Sequence, residues 1–137
     1  MSVAARRQSD KSSSLVEMAE DLQQLVEQAG REGRSLYELE RSVLDGLLKM
    51  GHAAVEFFLA QQGNGDLGET VPDDDGRTLH RSAQPVGRPL RTIFGVHEFS
   101  AFVYRRGKHP NTPIAFRPVD ARMSLPPVPA AGRPTLG

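Results

Sequence analysis

Cysteine and tryptophan are absent from this 137-residue chain, and aromatic residues make up only 6% of it. Without cysteine there is no disulfide framework, no thiol catalysis and no cysteine-based zinc site. No apolar run approaches the roughly 20 residues that span a bilayer. The opening stretch, Met1 to Ser14, is polar and lacks an apolar signal core. A soluble cytoplasmic protein is therefore the expectation. The length suits one domain, or one compact unit with tails, and a chain of this size buries about 65–70% of its unfolded surface. Its ten prolines cluster late, so the ordered part should be shorter than the chain.

Net charge is zero, but the zero conceals a split. Residues 1–14 carry three basic groups and one acidic. Residues 15–76 carry four basic and fourteen acidic groups, and residues 77–137 carry ten basic and two acidic. Such asymmetry fits a polyanion-binding half beside an acidic one. It fits equally an intramolecular arrangement in which acidic helices neutralise a basic sheet.

Met1–Ser14 shows no periodicity and reads as a disordered, mildly basic tail. Leu15, Met18, Ala19, Leu22, Leu25, Val26 and Ala29 then follow helical spacing, with Ser14 as N-cap and Glu17 completing a capping box. Gly30 or Gly33 should end this helix. A second helix should open at Ser35, with Glu38 three residues on, and run to about Gln62. Its apolar row is wide: Leu36, Leu39, Val43, Leu44, Leu47, Met50, Ala54, Val55, Phe58 and Leu59. That width motivates the expectation of a homodimer.

Residues 63–76 read as an acidic, glycine-rich loop, residues 77–122 as a basic β region, and residues 123–137 as an unstructured proline-rich tail. Thr78–Ala83 suits a short strand, and Pro113–Val119 suits an edge strand because of its prolines. Between them, residues 88–104 alternate, break at Gly95-Val96 and alternate again, as a β-hairpin does. With Gly95 and Val96 as the loop, Phe94 faces His97, and Leu90, Thr92, Phe94, Phe99, Ala101 and Val103 share a core face. Arg91, Ile93, Ser100, Phe102 and Tyr104 share the other. The predicted fold is α+β, an N-terminal helical hairpin packed on a small, mainly antiparallel sheet with disordered tails.

Candidate chemistry is sparse. Asp73-Asp74-Asp75 offers adjacent carboxylates that diverge, so a solvated turn before Gly76 is expected instead of a metal site. His52, His80, His97 and His109 lie far apart in sequence with no metal-ligand spacing. Asp120 reads as a turn or capping group. Gly63, Gly65 and Gly68 match half of a nucleotide-binding pattern, but they follow a helix and lack Lys-Ser/Thr. Catalytic, cofactor-binding and metal residues are thus expected to be none, with no small-molecule substrate. The basic and aromatic set Arg77, Arg81, Arg88, Arg91, Tyr104, Arg105, Arg106, Lys108 and Arg117 is the stronger signal. Arginines on a ribbon can grip phosphates, or their stems can cover apolar surface on a solvated sheet face. Arg91, Arg105 and Arg106 are the expected DNA-backbone contacts, with Tyr104 stacking beside them.

Gly63-Asn-Gly-Asp-Leu-Gly-Glu-Thr70, Asp75-Gly-Arg-Thr-Leu79, Arg88-Pro-Leu-Arg-Thr-Ile-Phe-Gly95, Phe99 to Tyr104, Phe116-Arg-Pro-Val-Asp-Ala-Arg122 and Leu125-Pro126 form an ordered series. Together, over roughly residues 35–126, they resemble the amino-terminal region of bacterial insertion-sequence transposases of the Kra group. The resemblance implies a DNA-associated fragment without catalysis of its own, because the ribonuclease-H-like domain and its three carboxylates would come later. Some relatives carry cysteine pairs similar to a zinc ribbon, and here there are none. The alternatives from other classes are a helical self-association module and a non-functional remnant of a mobile element.

Overall fold

The computed structural model describes residues 3–128, with side chains from Ser14 onward. Expectations for Met1, Ser2 and the end of the proline-rich tail (129–137) lie outside the described residues. The fold is α+β. Helices α1 (Val3–Glu32) and α2 (Leu36–Ala60) precede six short strands and a final turn of helix, α3 (Pro118–Arg122). The strands are β1 (Thr70–Pro72), β2 (Thr78–Arg81), β3 (Val86–Thr92), β4 (Gly95–Ala101), β5 (Tyr104–Arg105) and β6 (Ile114–Phe116). Packing divides the chain into two units. The first runs to Gln61 and includes Arg91–His97; the second holds Gln62–Leu90 and Glu98 onward.

In the first unit, α1 begins well before Ser14, so the expected tail is helical from Val3 and Ser14 is not an N-cap. Ala4, Ala5, Arg6, Arg7, Gln8 and Lys11 are strong helix formers, and the Ser12–Ser14 run costs too little to interrupt them. The helix stops at Gly33, whose φ of +67° is the left-handed conformation glycine tolerates best. The Arg34 N–H then reaches back to the Ala29 carbonyl at 3.0 Å, closing a Schellman cap. As expected, Ser35 caps α2, its hydroxyl accepting the Glu38 N–H at 3.2 Å.

Leu15, Met18, Leu22 and Leu25 are half-buried and Ala29 is buried, a row at three- and four-residue spacing on α1. Leu39, Val43 and Met50 are the half-buried row of α2. Gly46 allows the helices to approach: a Cβ there would stand 3.2 Å from Leu22 Cδ1. Farther along the same stripe Val55 is half-buried and Leu59 buried, but much of it is not core. Leu36, Tyr37, Leu44, Leu47, Leu48 and Phe58 are exposed.

In the second unit, β1, β2, β5 and β6 form a sheet in that order, all neighbours antiparallel, and β6 is the edge strand expected from its prolines. Strand β1 falls in the stretch expected to be loop, with Val71 opposite Leu79. Tyr104 pairs with Arg81 on one side and Phe116 on the other, and a bulge follows because Arg105 pairs with Ile114. Leu79, Ala101, Val103, Tyr104 and Val119 are buried.

The hairpin β3–β4 is a separate two-stranded sheet. Its alternation is as read from the sequence through Ala101, but the chain does not continue as one strand to Tyr104. At Phe102 the N–H turns to the Asn64 carbonyl (2.8 Å), and Val103 exchanges bonds with Ser82. Those partners transfer the chain to the other sheet.

The turn also lies two residues earlier than Gly95-Val96, at Ile93-Phe94. Thr92 Oγ1 accepts the Phe94 N–H at 3.1 Å and donates to the Gly95 carbonyl at 3.2 Å, which fixes the turn there. Phe94 settles on Gly51 of α2, where any Cβ would collide with its ring. The glycine inside α2 therefore makes room for the hairpin tip.

Candidate functional site

Three donor-bearing side chains converge where the hairpin tip meets α2. His52 and Glu56 are four residues apart and so share one helix face. His97 is on the inward face of β4, in line with Phe99 and Ala101, and its side chain has no exposed surface. His97 Nδ1 lies 3.0 Å from Glu56 Oε1, and His97 Nε2 lies 3.0 Å from Thr92 Oγ1. His52 Nε2 is 3.9 Å from the same Glu56 oxygen and 3.3 Å from the Val96 carbonyl. The two imidazoles stack with centroids 4.2 Å apart and 21° between planes. The ligand atoms of all three residues lie within 4.8 Å of one another.

Sequence separation suggested that the histidines were unrelated, yet the tertiary structure joins two of them. Two signals were present in the chain. His52 and Glu56 have the i, i+4 spacing of a shared face. His97 falls on the apolar side of an alternating strand, where a polar side chain requires a partner.

The expected DNA-contact residues fall in both units. Arg91 is exposed and belongs to the first unit, whereas Tyr104, Arg105 and Arg106 belong to the second. Tyr104 is fully buried, which overturns its assignment as a base-stacking residue. Its hydroxyl accepts the Leu67 N–H at 2.8 Å and donates to the Gly68 carbonyl at 2.7 Å. It therefore pins the glycine-rich loop, in which Gly65 has φ +77° and lies against the Phe102 carbonyl. Arg105 donates to the Thr112 carbonyl at 3.0 Å, and Arg106 pairs with Asp73 at 2.8 Å.

Two other cations of the basic set are also occupied. Arg81 pairs with Asp66 at 2.7 Å and stacks over Phe102, its guanidinium carbon 5.4 Å from the ring centroid. The Gly68 N–H and then Arg81 hold the Asp66 carboxyl below its ordinary pKa, and Asp66 in turn raises that of Arg81. Arg88 is buried. It pairs with Asp120 and donates to the carbonyls of Pro89 and Pro126 at 2.9 and 2.8 Å. Asp120 is thus the buried counter-charge of Arg88 as well as a residue of a short helix.

Of the aspartate run, Asp73 builds a turn. Its Oδ1 accepts the N–H groups of Asp75 and Arg77 at 2.9 and 2.8 Å. Desolvation pushes its carboxyl upward, but those two N–H donors and Arg106 outweigh it and leave the pKa lowered. Arg77, Arg91, Lys108 and Arg117 make no ion pair among the described residues. No described helix is long and apolar enough to cross a membrane. Compared with protein-family models, curated proteins and solved structures, the chain matches none.

Proposed function

We propose that this chain is a non-catalytic helical self-association module, and that it pairs as a homodimer through α2. The observation that carries this reading is the set Leu36, Tyr37, Leu44, Leu47 and Leu48, between 46% and 69% exposed. At 3.6 residues per turn these five side chains lie within an arc of about 120°. Exposed apolar surface that is contiguous in this way marks a contact.

The charges within the row suit a second copy. Tyr37 and Leu44 are one heptad apart, and Glu40 and Arg41 lie about 50° to either side of the line through them. In a parallel two-fold arrangement, Tyr37 and Leu44 meet their own copies. Each Glu40 then stands opposite Arg41 of the other chain. The next position of the row, Gly51, is covered by the chain's own Phe94, so the seam ends there.

Sedimentation equilibrium is expected to give a dimer at tens of micromolar, and Leu44→Asp a monomer. Glu40→Arg should weaken the dimer by placing like charges together. Glu40→Arg with Arg41→Glu should restore it. A monomeric wild-type protein, or a double variant no tighter than Glu40→Arg, would reject the arrangement.

A second reading keeps the chain as a DNA-associated amino-terminal fragment of an insertion-sequence transposase, acting in transposition. It is supported by Arg77, Arg91, Lys108 and Arg117, four members of the basic set without an ion pair among the described residues. Fluorescence anisotropy with duplex DNA should then show binding that falls with salt. Replacing those four by alanine should weaken it for every sequence and flatten the salt slope by about one unit for each phosphate no longer neutralised. An isotherm unchanged by the quadruple substitution, or no binding at low salt, removes this reading.

A further inference from the structure

We propose that His52, Glu56 and His97 form a binding site for a divalent cation of the zinc class. Two imidazoles and a carboxylate are the donor types that borderline divalent metals select. The setting of His97 supplies a second reason, because its ring is held at both nitrogens: Nε2 lies 3.0 Å from Thr92 Oγ1 and Nδ1 lies 3.0 Å from Glu56 Oε1.

A cation would take the place of the proton between Nδ1 and Glu56 Oε1, which face each other at 3.0 Å. The ring proton would then lie on Nε2 toward Thr92, which would act as the outer partner that orients a metal-bound histidine.

Distances agree with such an ion. Zinc bonds of about 2.0–2.1 Å place tetrahedral ligand atoms about 3.3 Å apart. The two contacts to Glu56 Oε1, 3.0 Å from His97 and 3.9 Å from His52, bracket that spacing. The stacked rings cannot both hold an ion in their planes. His52 is the ligand that turns: its side chain is 41% exposed, and Val96 O holds its Nε2 at 3.3 Å.

The test is titration of the full-length protein, free of any histidine tag, with Zn²⁺ by calorimetry and with Co²⁺ by visible absorption. One ion per chain is expected, with His80→Gln and His109→Gln unchanged. His52→Ala alters a half-exposed helix position and should keep wild-type helix content while weakening affinity about tenfold or more. His97→Gln should do the same, with circular dichroism checking that it folds. Absence of uptake overturns the proposal, as does uptake indifferent to His52→Ala. Stability that titrates through the histidine range without zinc uptake also overturns it, because a proton would then bridge Nδ1 and Oε1.

Discussion

Asp120→Ala is expected to destabilise the second unit by about 3–5 kcal/mol, the cost of leaving a buried charge without its partner. Arg88 and Asp120 are 4% and 9% exposed. Arg88 also donates to the carbonyls of Pro89 and Pro126, so one side chain ties β3, α3 and the segment after α3 together. Removing the carboxylate leaves a guanidinium that neither carbonyl can neutralise. Against a typical domain stability of about 5–15 kcal/mol, such a loss is large. The double variant Arg88→Met with Asp120→Leu should recover most of it, because apolar replacements remove both charges together. Urea unfolding measures both. A single variant with a wild-type midpoint would show that the pair contributes nothing.

Tyr104→Phe is the second large effect, expected at about 1–3 kcal/mol. The ring itself would stay, stacked obliquely 6.2 Å from Phe116. What disappears is one hydroxyl serving both Leu67 N–H and Gly68 C=O. The loop from Gly63 to Glu69 then loses its only side-chain tie to β5 among the described residues. Hydrogen exchange at the Leu67 amide should accelerate more than exchange within β2. The same variant discriminates between roles. A pinning tyrosine lowers stability without changing any DNA affinity of the folded protein, whereas a stacking tyrosine would lower affinity. Unchanged Leu67 exchange would contradict the pinning role.

Both residues drew attention in the sequence as members of a basic and aromatic set, and both turn out to be internal. Alternation places Arg88 on the same side as Leu90 and Thr92, so its burial was legible in the pattern even though its charge argued for the surface. Tyr104 was not legible in this way. Extending the hairpin alternation assigns it to the outer face, and only the transfer of the chain at Phe102 and Val103 moves it inward. That transfer depends on the hydrogen bond Phe102 donates to the Asn64 carbonyl and those Val103 exchanges with Ser82; both partners are remote in sequence and carry no periodic signal.

By itself, the sequence determined the two helices apart from the start of the first, the Ser35 cap, a stop at Gly30 or Gly33, the hairpin and the edge strand. These features follow from local rules: apolar spacing, a hydroxyl beside the first turn, glycine where φ is positive, and proline where a ladder bond is missing. Tertiary structure alone decided which strands share a sheet and which arginines are neutralised. It also decided that the turn falls at Ile93-Phe94 and that His97 meets His52 and Glu56. Apart from the turn, which the Thr92 hydroxyl fixes locally, each of those outcomes depends on groups far apart in the chain. The physical reason is that partner choice is settled by satisfying buried polar groups and filling space between elements. Residues that are neighbours only in space leave no mark on the local pattern of the chain.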